Sequence, residues 1–136
     1  MCGIFGQISN KNTNQKNLAV LALHARQRGK DSSGLIYIKN KNYIISRADF
    51  DIKTLFKKTD LSNTRIAMGH SRLVTNGMSD NQPVYRDGFI LIHNGIILNE
   101  SEVWNQISIK RQFEIDSEAI IGVAIEHLRE NNNNTE

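Results

Sequence analysis

Two β-prone runs, Gly34–Ile38 and Tyr43–Ile45, are separated by only four polar residues, Lys39-Asn40-Lys41-Asn42. Parallel neighbours need a crossover of a dozen residues or more, so this link can only join antiparallel strands. A layered α+β protein therefore fits better than a succession of βαβ units. Around this hairpin, residues 3–9 read as a short buried strand. Residues 17–28 read as a helix, with Leu18, Leu21, Ala22 and Ala25 on one face, Val20 and Leu23 widening it, and Gly29 as a C-cap. A short helix is predicted over 52–58, and two further strands within 65–73 and 89–98, centred on Ile66–Met68 and Phe89–Ile92. Asn99 with Glu102 three residues on has a capping-box pattern. The last helix, 117–130, carries Ile120, Val123, Ala124 and His127 on one face, with Ile121, Ile125 and Leu128 beside them. The order strand, helix, strands, helix makes a layered α+β protein.

The chain has 136 residues, enough for one core. It has no apolar run long enough to span a membrane. Lys+Arg 17 against Asp+Glu 14 leaves +3, far from the dense basic stripe of a nucleic-acid binder. No secretory or lipidation signal opens the chain, so a cytoplasmic, reducing location is expected. The Lys/Asn-rich stretches at 10–17 and 39–42 read as solvated turns. Residues 131–136 are polar throughout, which predicts a disordered tail after a domain over 1–130.

The single cysteine, Cys2, excludes an internal disulfide and a multi-cysteine zinc site. A lone cysteine is ordinarily a small buried hydrophobe. Its position changes the reading. Removal of Met1 would leave a thiol and an α-amine on one residue. An α-amine with a reference pKa of about 7.7–8 is a suitable general base at neutral pH. It activates an N-terminal nucleophile without a distant histidine. Gly3 and Gly6 flank Cys2 and allow close backbone approach.

Five segments, in order, carry a resemblance: Met1-Cys-Gly-Ile-Phe-Gly6, Gln27-Arg-Gly-Lys-Asp-Ser-Ser-Gly34, Gly69-His-Ser-Arg-Leu-Val-Thr-Asn-Gly77, His93-Asn-Gly-Ile-Ile-Leu-Asn99 and Asp116-Ser-Glu118. The chain resembles a class II glutamine amidotransferase domain, one of the N-terminal-nucleophile hydrolases. The resemblance implies an αββα sandwich with two facing antiparallel sheets, here incomplete in its second half. Family domains are longer. Strands normally follow the last helix, so a fragment, a minimal form or a chain that must associate is expected. Unpaired edges and an uncovered apolar face would follow.

The same resemblance implies hydrolysis of the glutamine amide through a γ-glutamyl thioester on Cys2. Glutamine offers a carboxylate, an ammonium and an amide. Arg72 suits the carboxylate, which guanidinium pairs bidentately. Thr75 and Asn76 follow in the same loop as further donors. Aminosugar-forming members carry an aromatic at the Leu73 position and a histidine at the Asn76 position, which leaves the carboxylate contacts open. Asp116 matches the acid that holds the ammonium, and as an aspartate it can also cap the 117–130 helix. The Asn94 amide and the Gly95 N–H are assigned to the oxyanion hole, against the plain reading of Asn-Gly as a hairpin turn. Arg28, Asp31 and Gly34 read as scaffolding, with Arg28 and Asp31 paired. Gln82-Pro83 resembles a family Gln-Pro, and the polar stretch from Gly77 to Gly88 reads as a loop able to close over the site.

His24, His70, His93 and His127 have no metal-motif partners, and no metal or cofactor is assigned. His70 and His93 read as packed structural residues, and His127 as a partly buried member of its helix stripe. The implied partners are L-glutamine and an ammonia-accepting synthase domain or subunit, with a homo-oligomer also open. The aminosugar type of acceptor ranks first. A phosphoribosyl or asparagine-type acceptor is the alternative, as is a non-catalytic glutamine-binding or regulatory module. A nucleophile hydrolase for another amide would need neither Arg72 nor Asp116.

Overall fold

The computed structural model describes residues 2–73 and 81–133. The elements run β1 (Gly3–Ile8), α1 (Gln15–Arg26), β2 (Ser32–Lys39), β3 (Asn42–Ala48), α2 (Ile52–Lys57), β4 (Ile66–Arg72), β5 (Val84–Arg86), β6 (Phe89–Leu91), α3 (Glu100–Gln106) and α4 (Glu118–Asn133). β2 and β3 form the expected hairpin. Asn40 and Lys41 close it at φ 52° and 64°, the left-handed pair that matches the strands' own twist.

Strands β1, β4, β2 and β3 lie side by side in that order, all antiparallel. Strand periodicity puts Phe5, Leu35, Tyr37 and Ala67 on one face, where Leu18 and Ala22 of α1 and Ile52 and Leu55 of α2 pack with them. A second hairpin, β5–β6, turns at Asp87-Gly88. Val84 joins Ile109, Ile115, Ile121 and Ile125 in a second core, with Trp104 and Leu91 against it. The layers are thus α1/α2, the four-stranded sheet, the two-stranded sheet and α3/α4, the αββα order expected. Among the described residues the second sheet has only two strands. An apolar groove of about 450 Å³ opens between the sheets, with Ile4, Ile36 and Met68 on one wall and Ile90 and Ile92 on the other. Ile8 and Tyr43 are exposed at 73% and 65%.

Several local expectations are corrected. Helix α1 starts at Gln15 because the Asn14 side chain accepts from the Lys16 and Asn17 N–H groups. Its C-cap is Gln27, and Gly29 does not adopt a left-handed conformation. Only Leu18, Ala22 and Ala25 of α1 are buried, so Val20 and Leu23 do not widen the stripe inward. Asn99 precedes α3 without a side-chain cap bond. Helix α4 buries Ala119, Ile121 and Ile125, not the face of Ile120, Val123 and His127, because the second core lies on that side. The helix runs to Asn133, past the expected end at 130. The described part of the 77–88 stretch is built into the fold. Asn81 Nδ2 donates to the Ser33 and Ala48 carbonyls, and β5 follows a cis Gln82–Pro83 bond.

Candidate active site

Cys2 immediately precedes β1. Because Gly3 pairs with Ser71, Cys2 stands level with Arg72 at the end of β4. Its Sγ lies 3.8 Å from the Leu73 carbonyl oxygen. The Ser9 N–H donates to the Arg65 carbonyl at 2.9 Å. In an antiparallel ladder that makes Gly3, Phe5 and Gln7 the bonded partners of β4 and turns the polar groups of Ile4, Gly6 and Ile8 toward the edge that has no strand neighbour among the described residues. Helix α1 lies close beside this end of β1. A Cβ on Gly3 would stand 2.3 Å from the Ala25 carbonyl oxygen, so only glycine permits this approach.

A cleft of about 710 Å³ follows that edge. Cys2, His24, Arg28 and Asn94 are among its lining residues. The cleft thus joins the predicted nucleophile to one predicted oxyanion donor. Arg28, expected as scaffolding, borders the same space, as does His24, which had no expected role. Neither was readable locally, because their placement depends on how α1 meets β1. Gly95, Arg72 and Asp116 do not line this cleft. Thr75 and Asn76 lie outside the described residues.

Asn94 and Gly95 do not form a hairpin turn. They follow β6 in an irregular segment leading to α3, and both are exposed. Gly95 passes tightly over the preceding histidine, where a Cβ would meet His93 Nε2 at 2.6 Å. His93 is held from two sides: its N–H donates to Gln82 Oε1 at 2.6 Å, and its Nδ1 is 3.1 Å from Ser117 Oγ. The other end of the segment is tied to Asp116, whose Oδ2 accepts the Ile97 N–H at 2.8 Å. Asp116 Oδ1 accepts from Ser117 Oγ at 3.2 Å. The Asp116 side chain therefore supports the Asn94–Gly95 segment rather than capping α4, as expected from sequence. It remains half-buried. Gln82 and Ser117 stood out only as members of the Gln82-Pro83 and Asp116-Ser117-Glu118 motifs, and their bonds to His93 were not visible in the sequence.

Arg72 is 7% exposed, and its carbonyl accepts the Asp31 N–H at 3.0 Å. On the same strand His70 is fully buried, with no hydrogen-bond partner for either ring nitrogen among the described residues. Burial, and then the positive charge of Arg72, push its pKa down to about 4. It is a neutral packed histidine at pH 7, consistent with the structural reading. His127 is exposed on α4, 3.0 Å from Asn131 Nδ2, rather than part of a buried stripe. Among the described residues, no three metal-ligating side chains gather into a site, and no helix is long and apolar enough to cross a membrane.

No family model matches the chain. It is 28% identical to an amidophosphoribosyltransferase of Pasteurella multocida over 141 residues, covering 94% of this chain and 28% of that protein. It is 32% identical to a glutamine–fructose-6-phosphate aminotransferase (isomerizing) of Rhizobium leguminosarum over 129 residues, covering 88% and 21%. The chain thus spans about a quarter of the length of these relatives. Among solved structures, glutamine phosphoribosylpyrophosphate amidotransferase from B. subtilis, complexed with ADP and GMP, superposes with a TM-score of 0.69. The sequence identity is 23%, covering 89% of this chain and 28% of that one. That likeness establishes the shared fold.

Proposed function

We propose that this chain, a class II glutamine amidotransferase-like domain of the N-terminal-nucleophile hydrolases, hydrolyses the side-chain amide of L-glutamine and releases ammonia to a synthase domain or subunit. The observation that carries this reading is the cleft in which Cys2 and Asn94 meet, at the sheet end where Arg72 stands level with Cys2. Once Met1 is removed, the Cys2 α-amine takes the thiol proton and Sγ attacks the amide carbon. A tetrahedral oxyanion forms, with the Asn94 side-chain amide and the Gly95 N–H as its donors. Collapse breaks the C–N bond, and the amine returns the proton to the departing ammonia. Water then cleaves the γ-glutamyl thioester to glutamate and regenerates the thiol.

In this reading Arg72 pairs with the substrate carboxylate, aided by Thr75 and Asn76, and Asp116 with its ammonium. Arg28 lines the same cleft as Cys2 and adds positive charge to it. The acceptor is of the aminosugar type, in line with the His93-Asn94-Gly95-Ile96-Ile97 segment. The similarity to amidophosphoribosyltransferases keeps a phosphoribosyl acceptor as the second reading.

The test is intact mass with and without 6-diazo-5-oxo-L-norleucine, a glutamine analogue that alkylates such nucleophiles. The expected result is loss of one methionine and a single adduct on Cys2, blocked by glutamine. Retained Met1, or a processed chain that never labels, would overturn hydrolysis and leave a glutamine-binding or regulatory module.

A further inference from the structure

We infer that Ser117 is a positioning residue that locks the Asn94–Gly95 segment and the Asp116 carboxylate into one geometry, through hydrogen bonds whose direction is fixed. The inference rests on the glutamine-hydrolysis reading above and assigns a role beyond the residues that meet substrate.

The direction follows from donors that have no choice. The His93 N–H can only donate, so the Gln82 atom 2.6 Å away is the amide oxygen. The amide nitrogen of Gln82 must then point at Ser117 Oγ, at 3.5 Å. Ser117 Oγ has one proton, and the Asp116 Oδ1 carboxylate oxygen at 3.2 Å can only accept it. The third neighbour, His93 Nδ1 at 3.1 Å, must therefore supply its own hydrogen. His93 thus carries a hydrogen on Nδ1, facing Ser117, while its Nε2 lies beneath Gly95. Ser117 Oγ donates once and accepts twice, which uses its full capacity. Ser117 and Gln82 are 1% and 4% exposed, so water does not compete for these bonds.

The consequence is geometric. The segment from His93 to Ile97 is pinned at its first residue by Gln82 and Ser117 and at its last by Asp116. Ser117 joins the two pins. One hydroxyl therefore sets the oxyanion donors relative to the carboxylate assigned to the substrate ammonium. A shift of about 1 Å between such groups can cost about a hundredfold in rate.

The experiment compares the full chain with its Ser117→Ala and Ser117→Thr variants, folding being checked by circular dichroism. In Ser117→Ala, kcat should fall and KM for glutamine should rise together, lowering kcat/KM about a hundredfold. Ser117→Thr, which keeps the hydroxyl, should recover most of the loss. Nitrogen-15 spectra of labelled His93 should show a protonated Nδ1 in the wild type, and a loss of that preference in Ser117→Ala. Unchanged kcat and KM in Ser117→Ala, or a wild-type His93 with no hydrogen on Nδ1, would overturn the inference. A wild type that turns over no glutamine overturns the hydrolysis reading instead, and the His93 spectra still decide the direction of the bonds around Ser117.

Discussion

Arg86 and Glu118 form an ion pair inside the molecule: Nη1 lies 2.6 Å from Oε1, and the side chains are 7% and 0% exposed. Arg86 comes from β5 and Glu118 from the first turn of α4, so the pair fastens the second sheet to the last helix. The Phe113 N–H also donates to Oε2 at 2.8 Å, and the Gln112 N–H is within 3.1 Å of both oxygens. The last acid of the Asp116-Ser117-Glu118 segment thus fastens the second sheet to the last helix, while Asp116 holds the Ile97 N–H. Removing Glu118 leaves Arg86 buried with only the exposed Asp87 carboxylate, 3.4 Å from its Nε. Glu118→Ala should cost about 3–5 kcal/mol in urea unfolding, whereas Arg86→Met with Glu118→Leu should cost much less. Equal losses in the single and double variants would show that the charge is not what matters.

His70 makes stability depend on pH. Its folded pKa of about 4 lies below the unfolded value of 6.5, so the unfolded chain binds more protons between the two. This contribution is complete above pH 6.5 and is lost as pH falls toward 4. The expected loss is about 2 kcal/mol between pH 7 and pH 5. Denaturant midpoints across that range, measured for the wild type and for His70→Asn, test the assignment. The variant should lack the slope, and an identical slope in both proteins would place its origin elsewhere.

Gly95 is predicted to be intolerant of the smallest side chain. A Cβ would meet His93 Nε2 at 2.6 Å and push apart the segment assigned to the oxyanion. Gly95→Ala should lower kcat by about 10²–10³. Because Gly95 is exposed, the cost in stability should be small. A rate close to wild type, with glutamine as substrate, would remove Gly95 from the oxyanion hole.

The parts of the fold that could be read from the sequence are those fixed by neighbours in the chain. Four polar residues between β-prone runs specify the β2–β3 hairpin, and the glycine-bounded run at the start specifies β1. The β5–β6 hairpin was equally local, since Asp87-Gly88 is a strong turn signal. Its three-residue strands, however, are too short to show an alternating pattern. The inward face of α4 was misread because Ile121 and Ile125 win burial through contact with Val84 and Ile115, remote in sequence. The same limit applies to the site. Cys2 and Asn94 stood out by residue type and setting, while Arg28 and Ser117 have meaning only after α1 meets β1 and α4 meets the segment after β6.

Cys2 is attached to a strand that, among the described residues, has a neighbour on one side only. The end of such a strand can peel away while both cores stay intact. The energy of that small opening, rather than of global unfolding, then sets what fraction of molecules has its thiol in place at any instant. On warming, reactivity at Cys2 should fade before the spectroscopic melt begins. Whatever covers the free edge of β1 would raise the working temperature of the site without touching its chemistry.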